Sequence, residues 1–123
     1  MAESQIAAQL YTLRDFIQTP DDIAKTMKRV KEIGYDTVQC LALGPISPEE
    51  LKQIVNGEGL KICATHSSYH RIRDEPQAVI DEHQLWECKH AAIGGLPAEY
   101  RTGVEGYTGL LTVGVIRQNG FGA

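Results

Sequence analysis

The stretches Ile33-Gly34-Tyr35-Asp36-Thr37-Val38 and Glu58-Gly59-Leu60-Lys61-Ile62-Cys63 decide the fold, because they are one junction written twice. Each has a glycine that stops a helix, one apolar residue, a charged residue and then an apolar strand. A third copy, Trp86-Glu87-Cys88-Lys89-His90-Ala91, follows at a similar interval, with Glu87 where glycine would be easiest. A repeat of this size with alternating helices and strands means consecutive βαβ units and a parallel sheet.

The segments between the junctions agree. Gln5 to Leu13 has the length and composition of a first strand. Thr19 is placed as an N-cap, Pro20 at the first helical position, and Asp21 and Asp22 in the first turn. Ile23, Met27, Val30 and Ile33 then make one apolar stripe, and Gly34 ends the helix. Asp36 to Leu43 is the second strand, broken at Gly44-Pro45. Ser47-Pro48-Glu49-Glu50 has the form of a capping box for a helix burying Leu51, Ile54 and Val55. Leu60 to Thr65 is the third strand. Asp74 is expected to cap a third helix with Pro76 in its first turn and Val79, His83 and Trp86 on one face. His90 to Ile93 is a short fourth strand. Two architectures fit: a doubly wound sheet closing within the chain, or about four units of a (β/α)8 barrel, which needs about 250 residues.

Beyond residue 102 the pattern lapses. Six of the twelve glycines fall between Gly103 and Gly122, and no cap or apolar stripe at helical spacing is found there. Residues 1–102 are therefore read as the repeating domain and 103–123 as an irregular Gly-rich tail.

Composition bounds function. Of 123 residues, 42% are hydrophobic and 23% charged, as in an ordinary globular domain. A formal net charge of −4 leaves no basic stripe for a nucleic-acid backbone. No secretory leader is read at the start, and Leu110 to Ile116 is too short an apolar run to span a bilayer. Cys40, Cys63 and Cys88 form no CxxC pair and read as reduced thiols, so a cytoplasmic location without membrane partners is expected.

If the sheet is a barrel wall, active groups sit at the C-terminal ends of its strands. That selects Gln9 and Tyr11 on the first strand, Gln39 and Leu41 on the second, and His66 on the third. His66 can hydrogen-bond a substrate oxygen or move a proton near neutral pH. His66 and His70 form an HxxxH pair, but no carboxylate or cysteine joins them at ligand spacing. His83 and Trp86 read as packed residues, and His90 lies at the opposite end of its strand. Ser67 and Ser68 have no nucleophile elbow or acidic orienter, and Gly94-Gly95 reads as a loop.

Gln9-Leu10-Tyr11-Thr12-Leu13-Arg14-Asp15 resembles the first strand of the sugar phosphate isomerase/epimerase group, xylose isomerase-like proteins with a TIM-barrel fold. Ile33 to Gln39, Thr65-His66 and Cys88 to Gly94 are similar to its second, third and fourth strand regions, in the same order. The resemblance covers roughly residues 5 to 107 and tips the choice towards a partial barrel. It implies a divalent-metal enzyme of carbohydrate metabolism, abstracting a proton beside a sugar carbonyl while the metal holds the substrate oxygens. Gln9, Tyr11, Gln39 and His66 would line the sugar pocket without serving as bases. The ligating carboxylates and histidine of the group belong to later strands and have no counterpart here. The expectation is thus a truncated chain, inactive alone, with no catalytic or metal residue of its own. The alternatives are a non-catalytic half barrel that pairs with a second copy through open strand edges, or a doubly wound domain binding a small ligand. A DNA abasic-site enzyme shares the barrel fold, but the acidic balance argues against it.

Overall fold

A computed structural model describes residues 6–101, 103–106 and 108. It contains four strands, β1 (Ala8–Gln9), β2 (Thr37–Cys40), β3 (Lys61–His66) and β4 (Ala91–Ala92), in one sheet of order β1-β2-β3-β4. Every neighbouring pair is parallel. Helices α1 (Pro20–Ile33), α2 (Pro48–Gly57), α3 (Tyr69–Asp74) and α4 (Pro76–Leu85) alternate with the strands. The alternation of helices and parallel strands follows from the repeated junctions, since a parallel neighbour requires a crossover.

The chain divides into two compact units: residues 1–66 with 83–92, and 67–82 with 93–123. In the first, Thr19 Oγ1 accepts from Asp22 N at 3.2 Å, and Pro20 opens α1. Ile23, Met27 and Val30 are buried. Ile33, expected to complete that stripe, is the last residue of α1 and is 71% exposed. Gly34 takes φ 122° and its N–H returns to Lys31 O, a conformation that penalises a Cβ. In α2 the Ser47 hydroxyl accepts from Glu50 N at 3.1 Å, and Leu51 and Val55 are buried. One cluster joins these side chains to Leu10, Ile17, Val38, Cys40, Leu60, Ile62 and Cys88. At the third junction Glu87 adopts φ 56°, so the left-handed turn is kept without glycine. Its strain is on the order of 1 kcal/mol.

Three expectations are corrected. The first strand is only Ala8–Gln9, and residues Leu10–Phe16 form a 3-10 helix kinked at Leu13. Leu10, Leu13 and Ile17 have helical spacing, and turning the chain packs all three on the core. Tyr11 therefore lies outside the strand. The second strand stops at Cys40, and Ala42 takes φ 59°, so Leu41 also lies beyond its strand. Asp74 does not cap the helix that follows it: it ends α3, where its carboxylate pairs with Arg73. Helix α3, which the repeat did not signal, is capped by Ser68, whose hydroxyl accepts from Arg71 N at 3.1 Å.

In the second unit Tyr69 is buried and meets the rings of His70 and Tyr100 edge-on, at 5.6 and 4.7 Å. Arg71 forms a two-pronged ion pair with Glu82, the geometry a guanidinium fork favours. A short 3-10 helix spans Ala98–Tyr100, and residues 103–106 are helical, where the tail was expected to be irregular. The expectations for residues 109–123 lie outside the described residues. Among the described residues, no helix is long and apolar enough to cross a membrane.

Candidate functional site

The sheet of the first unit has two unlike faces. Val38 pairs with Ile62, and Cys40 with Thr65. These four side chains are buried, and three of them join the α1 and α2 cores. Thr65, the polar member, has its hydroxyl 2.5 Å from His83 Nε2 on α4. His83 is itself only 3% exposed, so this bond satisfies two polar groups that burial would otherwise leave stranded.

The opposite face is polar. Gln9 is the register partner of Gln39, and Gln39 that of Ala64. Residues that pair in register share a face, and so do residues two apart on one strand, so His66 joins them. Gln39 Nε2 lies 3.1 Å from His66 Nε2. With the amide nitrogen donating, that ring nitrogen accepts and the imidazole proton sits on Nδ1. Gln39 and His66 are half-buried and Gln9 is exposed. All three lie at or beside the C-terminal ends of their strands.

The expected site residues are thus brought together in part. Tyr11 stands at the same end but on the 3-10 helix, 49% exposed, with the Arg14 guanidinium 4.6 Å from its ring centre. His70 belongs to α3 in the second unit. His83 and Trp86 are packed: Trp86 Nε1 donates to Pro48 O at 2.9 Å and its ring meets His83 edge-on. His90 is exposed, and its carbonyl accepts from Thr65 N. Among the described residues, no group of three or more His, Cys, Asp or Glu side chains can hold a metal ion.

The reading from sequence missed a second feature, at the N-terminal ends of the strands. A cleft of about 640 Å³ opens between the starts of β2, β3 and β4, helix α2 and the end of α4. Lys52, Lys61, Lys89 and Trp86 are among its walls. No spacing rule marks it, because its lysines come from three different elements. The three thiols are all free. Burial pushes the Cys40 thiol up to about 12, and the Cys88 thiol is raised for the same reason.

The chain matches no family model, no curated protein and no solved structure. The class established is an α/β domain with a four-stranded parallel sheet alternating with helices.

Proposed function

We propose that the described strands and helices are the first four βα units of a TIM barrel related to the sugar phosphate isomerases and epimerases, and that Gln9, Gln39 and His66 form part of its sugar-binding wall. The observation that carries this reading is the row of these three residues on one sheet face, at the strand ends where barrels place their sites. The strand order supports it. A barrel adds each strand beside the last, whereas a doubly wound sheet reverses order at its binding crevice, and β1-β2-β3-β4 has no reversal. Polarity supports it as well. Amide and imidazole groups offer both donors and acceptors to sugar hydroxyls, and the Gln39–His66 bond orients the ring before a ligand arrives.

The test is a titration of the labelled full chain with D-xylulose, an uncharged ketose, followed by NMR. The expected result is a saturable shift of the His66 ring protons and the Gln39 side-chain amide, lost in Gln39→Leu. Shifts at neither group would end the proposal.

Open edges favour a second reading beside it. β1 and β4 are the sheet edges, and a half barrel can cover both by pairing with a second copy. Sedimentation of the purified chain separates the two: a concentration-dependent dimer supports pairing, and a monomer at all concentrations removes it.

A further inference from the structure

We propose that the cleft at the N-terminal ends of the strands is a binding site for a small phosphorylated molecule carrying a flat ring. It lies at the opposite end of the strands from Gln9, Gln39 and His66, and it does not rest on the barrel reading.

Size comes first. About 640 Å³ is within the range of small-molecule sites. Charge points to the ligand class. In a chain with a net charge of −4, Lys52, Lys61 and Lys89 converge on one cleft from α2, β3 and the approach to β4. Two acids share the lining, Asp36 and Glu87. Asp36 is already engaged, with Lys31 Nζ 2.5 Å from its carboxylate. The same Lys31 nitrogen is 3.4 Å from the carbonyl of Gly59, which also lines the cleft. The lining thus holds three lysines against two acids, and lysine ammonium groups bind phosphate as point charges.

The uncharged part of the ligand has its own surface. Trp86, Val55 and Leu85 line the same cleft. The Trp86 nitrogen is occupied by Pro48 O, so what the indole offers the cleft is its ring. A ligand with a phosphate at one end and a planar ring at the other meets both walls, the ring stacking on an aromatic surface. A bare inorganic anion uses only the lysines.

Trp86 is the only tryptophan of the chain, so its emission reports on this cleft alone. Cys63 lines the cleft too and is half-buried, while Cys40 and Cys88 are only 5% and 6% exposed. The experiment titrates the full chain with adenosine monophosphate, exciting at the red edge of indole absorption. Adenosine is run in parallel, and the rate of Cys63 alkylation is measured in both. The expected result is a saturable emission change with a Kd of about 1 mM or tighter, together with slower alkylation. Adenosine should bind at least tenfold more weakly. Lys52→Gln with Lys89→Gln should weaken the nucleotide by roughly tenfold or more, a change of about 1.4 kcal/mol or more. Circular dichroism of that variant should be unchanged, as it alters only side chains at the cleft wall. No saturable emission change with the nucleotide, equal binding of adenosine, or unchanged affinity in a folded double-lysine variant would each overturn the proposal.

Discussion

The two faces of the sheet differ by a single residue step along each strand. Val38 and Gln39 are neighbours, yet one is fully buried in the helix-side core and the other is half-buried beside His66. Strand geometry sends successive side chains to opposite faces, so alternation along β2 builds a buried face and a half-buried polar face from the same four residues. The helix side tolerates polarity only when it is paired, as Thr65 is with His83. The other side carries Gln9, Gln39 and His66 beside Ala64.

If that division is right, mutations should respect it. The largest effect is expected from Met27→Ala, which empties a fully buried position against the sheet. It should cost about 2–5 kcal/mol, measured by urea unfolding. A loss below about 1 kcal/mol would mean the helix side is not the core.

Thr65→Val probes a buried polar contact on that side. Its loss leaves the buried His83 nitrogen without the hydroxyl, at a cost of about 1–3 kcal/mol. Denaturation of Thr65→Val beside wild type reads this, and a neutral result would show that the pair is dispensable.

The thiols sharpen the comparison through pH. Cys40 on the helix side has its pKa raised from 9.0 to about 12, because burial penalises the thiolate. The folded state then holds its proton more tightly than the unfolded chain. The stability this provides is complete below about pH 9 and is lost as the pH climbs towards 12. Cys40→Ala should flatten that part of the alkaline unfolding curve relative to wild type. Mass spectrometry should also find Cys63 alkylated well before Cys40.

The smallest effect is expected on the polar face. Gln39→Leu should leave stability within about 0.5 kcal/mol of wild type, since it removes no core contact. It should remove the sugar response described above. A strongly destabilised Gln39→Leu would show that the polar face is structural.

What was legible in the sequence was local. The caps at Thr19 and Ser47, the stop at Gly34 and the stripes of α1 and α2 are each set by residues within a turn or two of one another. Spacing alone can therefore reveal them. Gln9, Gln39 and His66 could be nominated because the strands were legible, but only the register, with its irregularity between Val38 and Gln39, puts the three on one face. Helix α3 was missed because its signal is a single serine cap over six residues, too short for a stripe to repeat. The first strand was overdrawn because Leu10-Tyr11-Thr12-Leu13 satisfies both a strand and a helical turn. Burial of Leu10 and Ile17 in the common core accompanies the turn.

The sequence by itself determined the alternation of helices and parallel strands, because capping, stripes and glycine stops act over a few bonds. Tertiary structure alone decided three other things. Gly44 reads as a strand breaker, but a Cβ there would lie 1.9 Å from the Gln18 carbonyl oxygen, so two distant backbones require it to be glycine. His83 reads as a packed histidine, and only the fold supplies Thr65 as its partner. The lysines of the N-terminal cleft share no segment, and only the sheet register and the crossovers bring them to one wall. Contacts between residues far apart in the chain depend on how elements pack, and no short-range pattern encodes that.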